Sequence, residues 1–258
     1  MTALEPTGAI TRVRRWLHDR RVAQARVEAL ASAQVDADED HLARRPRTAT
    51  VTLADAAGRF WRHPSPWIIA TTMLVAGTAR VVVGGYHVSD LVLVLVMLAS
   101  FPFVEWVIHV FVLHFKPFEV AGVTIDPLLA REHRAHHADP RDIPLVFIPP
   151  KVYWWLLPTL VAVSVFAFAR LGLGLTYLVA LTAIGLVYEW VHYLIHSDYK
   201  PVTAAYRSVW RNHRLHHYKN ENYWFTVTTA GTADRILRTF PDPATVPTSP
   251  TARDLDAR

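Results

Sequence analysis

DLVLVLVMLASFPFVEWVIHVFVLH, residues 90–114, decides the architecture. It is an almost unbroken apolar run, long enough for the ~20 residues a helix needs to cross a hydrocarbon core. It also carries a carboxylate, Glu105, and ends on two histidines, His109 and His114. Three more segments meet the same length criterion. They are 67–85 (WIIATTMLVAGTARVVVGG), 152–170 (VYWWLLPTLVAVSVFAFAR) and 173–196 (LGLTYLVALTAIGLVYEWVHYLIH). The last two also read as one helical hairpin turning at Gly172 and Gly174. Trp67, Trp154 and Trp155 fall near segment ends, where aromatic belts form. The fold class expected is all-α: an integral membrane protein of four transmembrane helices, capped by a cytosolic His-rich helical region.

Around this core the chain divides into three. Residues 1–62 form a basic N-terminal arm, partly disordered or interfacial. Within it RVRRWLHDRRVAQARVEAL can lie on a membrane surface as a basic helix, and TLADAAGRFWR (52–62) reads as a short helix started by Thr52. Residues 63–240 are the membrane domain. Residues 241–258, PDPATVPTSPTARDLDAR, read as a disordered Pro/Thr tail. The first 60 residues lack the apolar core of a cleavable signal peptide.

Composition narrows the chemistry. Of 258 residues 52% are hydrophobic, none is cysteine, and the net charge is +5. Disulfides, thiolate metal sites and cysteine nucleophiles are therefore excluded. The basic balance, beside such long apolar runs, fits an anionic membrane surface and no nucleic acid. Of the 27 Lys and Arg residues only Arg80 and Arg170 adjoin the loops near 84–89 and 170–174. The remaining 25 lie with the termini and the 115–150 loop. The positive-inside rule makes that side cytosolic, and an inner (plasma) membrane is the expected location.

The chain also repeats itself. VEWVIHVFVLH at Val104 is echoed by YEWVHYLIH at Tyr188, and REHRAHH (131–137) by RNHRLHH (211–217). The Glu-Trp-Val copies stand 84 residues apart and the His-rich copies 80 apart. The unit is a helix hairpin plus a His loop, used twice.

Ten of the 14 histidines fall in this repeat: His109 and His114; His133, His136 and His137; His192 and His196; His213, His216 and His217. Residues three and four apart share a helix face, so His192 and His196 point together and each triplet reads as a three-imidazole patch. His109 and His114 are five apart, which suits a helix end or a local distortion. Ten neutral imidazoles supply two metals with about five ligands each. Imidazole suits Fe, Zn, Cu and Ni; two metals with few carboxylates fit O2 activation by iron, whereas zinc implies hydrolysis. The scattered His18, His41, His63 and His87 read as ordinary side chains. Glu105 and Glu189 sit inside spans, where carboxylates are expensive, one turn before His109 and His192. Both are read as catalytic supports that accept the far N–H of a ligand ring, with Asp142 and Asp234 as lesser candidates.

These residues resemble the fatty acid hydroxylase superfamily, also called the sterol desaturase family, and most closely its sphingolipid fatty acid 2-hydroxylases. The family's HX4H, HX2HH, HX3H, HX2HH pattern is matched by the four clusters. HHADPRDIPLVFIPP, YEWVHYLIH and HHYKNENYWFTVTTAGTADRILRT are similar to its flanking text, over roughly residues 65–240. The chain departs from it at Tyr223-Trp224-Phe225, where the family has Gly-Phe-Gly, and at Ala233-Asp234, where it has Trp-Asp.

The resemblance implies two iron ions, replaceable by zinc in purified samples, with O2 as co-substrate and a membrane lipid hydroxylated near the carboxyl end of its acyl chain. Some relatives carry a fused haem domain; the arm here has no matching His-Pro-Gly-Gly, so electrons are expected from a separate electron-transfer protein. Within the superfamily the alternative is a sterol or carotenoid hydroxylase or desaturase. A metal transporter would string its ligands through the membrane, and a bis-His haem carrier has no use for two HX2HH triplets.

Overall fold

The computed structural model describes residues 51–255. The basic arm helix, His18 and His41 lie outside the described residues. The short helix foreseen after Thr52 is α1, Leu53–Phe60; Thr52 caps it in a reciprocal capping box with Asp55. Phe60 packs edge-on against Trp190 and tilts against Phe147 and Tyr193, which fixes α1 to the end of the last span.

Among the described residues four segments are long and apolar enough to span a membrane. Helix α2 is Pro64–Val83, and α3 is Val88–Val107, prolonged by a π-helical turn, Ile108–Leu113. The third segment differs from the expectation of 152–170. It runs Ile143–Phe166 and opens with two 3-10 turns, Ile143–Val146 and Pro150–Val152, before α5, Tyr153–Phe166. Pro144, Pro149 and Pro150 forbid a regular helix there, and the α-helical part is only about 21 Å long. The fourth span is α6, Leu171–His196.

The hairpin between α5 and α6 does not turn at Gly172 or Gly174. Both glycines lie inside α6, and a Cβ on Gly174 would fall 1.6 Å from the Ser164 carbonyl oxygen, so Gly174 serves close helix packing. α6 is the central helix, packed against α2, α5 and α3. The outward flanks of α2 and α3 stay apolar and exposed, with Leu74, Val82, Leu95 and Phe111 among them, as lipid-facing surfaces are. At one end of the bundle Asp90 receives both Arg80, at 3.4 Å, and Arg170, while Thr176 donates to the same carboxylate at 2.8 Å. The two basic residues of that end are thus tied to one acid.

The opposite end carries the remaining described elements. α3 and α6 both finish there. After α3 comes an antiparallel hairpin, β1 Phe118–Val120 with β2 Val123–Ile125, turning on Ala121 and Gly122 at φ 49° and 78°. Helix α4, Leu128–Ala138, and helix α7, Ala204–Tyr218, carry the two His triplets; α8, Thr232–Ile236, follows.

Residues 241–255 are not the disordered tail their Pro/Thr composition implies. Val246, Ala252 and Leu255 are buried, and the Ser249 amide donates to the Lys219 carbonyl at 2.7 Å. Three apolar side chains and several backbone bonds hold the segment, a pairing no local composition rule registers.

Candidate metal centre

The π-helical turn explains the spacing of five. A π turn bonds residue i to i+5, and here the His114 amide donates to the His109 carbonyl at 3.0 Å. The wider turn brings His109 and His114 onto one side, with ring centroids 5.0 Å apart. His192 and His196, four apart in the regular α6, meet at 4.9 Å. Two different helical pitches thus produce the same paired-ring device.

The ten clustered histidines form two groups of five. One holds His109, His114, His133, His137 and His216; the other holds His136, His192, His196, His213 and His217. Within each, one ligand atom per residue lies within 4.8 Å of all the others. The triplets are therefore not patches. His133 and His137, one turn apart, face the first pocket, while His136, rotated by ~100° from His137, faces the second. α7 does the reverse: His213 and His217 face the second pocket and His216 the first. Each repeat supplies four rings to its own pocket and lends the middle ring of its triplet to the other.

The nitrogens converge as donors round an ion would. His213 Nε2 lies 3.1 Å from His192 Nε2, 2.9 Å from His196 Nε2 and 3.0 Å from His217 Nε2. One ring proton cannot serve three such contacts. Metal–imidazole bonds of ~2.0–2.1 Å at angles near 90–110° place neighbouring nitrogens roughly 2.9–3.4 Å apart. In the first pocket the Nε2 pairs His109–His133 and His114–His216 are both at 3.2 Å. His136 is 1% exposed and neither ring nitrogen has a hydrogen-bond partner. A buried orphan of this kind is costly unless something absent from the chain binds it. The ten residues fit two metal ions.

Their protonation state agrees. Burial first, and neighbouring imidazoles second, hold His133, His136, His213 and His217 well below the ordinary 6.5. Neutral rings keep the lone pair that a metal needs. The far nitrogens settle which end carries the proton. Nδ1–H of His109 donates to the Phe225 carbonyl, His216 to Tyr223 at 2.8 Å, His192 to Val146 at 3.1 Å and His137 to Ala252 at 2.8 Å. A carbonyl only accepts, so each of these rings is the Nδ1–H tautomer with Nε2 free to ligate.

This corrects the reading of Glu105 and Glu189. Among the described residues neither carboxylate bonds a histidine. Glu105 accepts from the amides of Val227 and Thr228 at 2.9 and 2.7 Å and from the hydroxyls of Thr228 and Thr229. Glu189 accepts from the Ile148 amide at 3.0 Å and from Ser65, whose hydroxyl also meets Tyr153 at 2.6 Å. With Nε2 turned into the pocket, each Nδ1 faces a passing loop and not the turn before it. The glutamates hold those same loops, two residues from the Phe225 and Val146 carbonyls. Asp234 joins them, accepting from the Phe225 and Thr226 amides at 2.9 and 2.8 Å; Asp142 opens the Ile143–Val146 turn without a side-chain cap.

Sequence reasoning missed the acceptors of the ring N–H groups altogether: Phe225, Tyr223, Val146 and Ala252 act through backbone carbonyls that no residue code marks. The Phe225 ring also packs 5.3–5.6 Å from His109, His114 and His216, so a bulky aromatic of the departed motif walls the first pocket. Trp224, between the two carbonyls, is fully buried at φ 56°. His63 stacks on Phe147 and the His87 amide donates to Asp90; both stand outside the two pockets.

Residues 94–239 match the family model described as fatty acid hydroxylase. No match was found among curated proteins or among solved structures.

Proposed function

The chain belongs to the fatty acid hydroxylase family, and from that premise we propose that it is a membrane di-iron oxygenase that hydroxylates a fatty acyl chain near its carboxyl end. The observation that carries the reading is the pair of five-imidazole pockets at one end of four apolar spans. Iron bound in both pockets would supply the reductive activation of O2 that an unactivated C–H bond requires. The overall change inserts one oxygen atom into a C–H bond and reduces the other to water. It consumes two electrons and two protons, with the electrons drawn from a separate donor protein.

The chain's own residues do the rest. Neutral histidines bind without placing net positive charge beside the ions. Backbone carbonyls orient the rings, and the loops carrying them are held by Glu105, Glu189 and Asp234. Nine of the ten rings are buried and His114 is partly so, which keeps bulk water from the reacting atoms. Phe225 offers the first pocket an apolar wall against which an acyl chain would lie. Proximity to the metals then selects the carbon attacked. Charge supports a cytosolic face for this end: the opposite end has Arg80 and Arg170, both neutralised in part by Asp90.

Lipid mass spectrometry of cells with and without the chain tests the proposal, taking sphingolipid acyl chains first. One added oxygen beside the carboxyl carbon is expected, and it should vanish with His136→Ala or His216→Ala. Unchanged lipids from cells whose purified protein carries two transition-metal ions would overturn it.

A further inference from the structure

Residues 246–255 lie beyond the stretch that matches the family, yet they reach the metal centre. The Ala252 carbonyl is the acceptor for His137 Nδ1–H at 2.8 Å. Arg253 donates through Nε to the His137 carbonyl at 2.7 Å and through Nη2 to the Ala138 carbonyl. Those are the last carbonyls of α4, which a helix leaves without internal partners. The Arg253 guanidinium also stands 5.2 Å over the Tyr218 ring at the end of α7.

Further back the segment is tied to α7's exit. Asn220 donates to the Pro247 carbonyl at 3.3 Å, and Thr251 Oγ1 to Glu221 at 2.6 Å. Leu255, 8% exposed, lines a small cavity with His114, Phe115 and Arg134. His114 is the only ring of the ten that is part-exposed; the other nine are buried.

We propose that residues 246–255 are a strap that positions His137, covers His114 and so retains the metal of the first pocket selectively. His137, which it bonds, and His114, which lines a cavity together with Leu255, both belong to that pocket. Among the described residues it makes no hydrogen bond to a ring of the second. Ala252 contributes only its backbone oxygen, which fixes the ring's proton on Nδ1 and leaves Nε2 to the ion. Arg253 is the positioning residue: it clamps the strap onto the turn that carries His137. The strap also joins the ends of α4 and α7, the two helices that exchange their middle histidines.

The inference rests on the dimetal reading, and its test separates the two. Full-length protein in detergent is loaded with zinc, which is redox-inert and accepts imidazole ligands, and release to a chromogenic chelator is followed. Wild-type protein that takes up no zinc would refute the dimetal reading itself. With two equivalents bound, Arg253→Ala should release one of them faster by about 10–100-fold, the usual cost of losing a ligand's support, and leave the other unchanged. Arg253→Lys, which keeps the cation and one donor, should fall between. Leu255→Ser should speed the same equivalent while Arg253 stays in place, and it decides the matter should Arg253→Ala fail to fold. Release of both equivalents at the wild-type rate, or equal acceleration of both, would overturn the strap.

Discussion

Glu105 and Glu189 act on the histidines through a loop. Glu105 gathers two amides and two hydroxyls from Val227–Thr229, and that stretch leads to the Phe225 carbonyl on His109. Glu189 holds Ile148, two residues from the Val146 carbonyl on His192. The two carboxylates therefore serve different pockets. Glu105→Gln trades an acceptor oxygen for an amide NH2 that can only donate, among groups that themselves donate, and should weaken metal binding in the first pocket by about 10–100-fold with the second retained. Glu189→Gln should do the opposite. A stepwise metal titration of both variants reads this directly, and identical losses from both pockets would contradict the assignment. Protonation acts at the same scale. His133, His136, His213 and His217 have folded values below the ordinary 6.5. In metal-free protein the unfolded chain then binds more protons below pH ~6.5, so stability is full above that pH and declines as pH falls through it. Thermal unfolding of chelator-treated protein from pH 8 to pH 5 checks the sign; bound metal should delay the decline, since protons must displace it.

Among the elements, the α5–α6 hairpin and the π turn carry the geometry. α5 approaches α6 so closely that Gly174 has no room for a methyl group against the Ser164 backbone. Gly174→Ala should force the helices apart and cost at least the 1–3 kcal/mol typical of overpacking, seen as a lowered unfolding temperature. Gly185 in the same helix has open space around its Cβ position, so Gly185→Ala should be neutral or stabilising and serves as the control. The π turn does for His109 and His114 what four-residue spacing does for His192 and His196. Its presence in one repeat and absence from the other shows that ring placement, and not helix type, is what the two copies share.

For the molecule as a whole, all ten rings lie at one end and the Arg80–Asp90–Arg170 cluster at the other. The chain has no cysteine, so single cysteines report sidedness without background. Ala138 and Ala244 are exposed at the metal end, and Val88 is exposed at the opposite end. In intact cells an impermeant thiol reagent should label Val88→Cys and spare Ala138→Cys and Ala244→Cys. The reverse pattern would invert the membrane orientation drawn from charge.

The four spans, the repeat, the number of imidazoles and their neutrality in an apolar setting were all legible from the chain, because hydropathy and local spacing are properties of consecutive residues. So was a departure from α geometry at His109–His114. The start of the third span was not, since three prolines replace α-helix by 3-10 turns in text that still reads as apolar. The assignment of each ring to a pocket waited on the packing of α4 beside α7, which sends His136 and His216 across to the other repeat. The choice of acceptor for each Nδ1–H also belongs to the tertiary structure. Every residue carries the same carbonyl, and the ones chosen lie 116 residues from His109 and 115 from His137. Composition likewise made residues 241–255 a loose tail, and only the buried site beside His137 made them a strap.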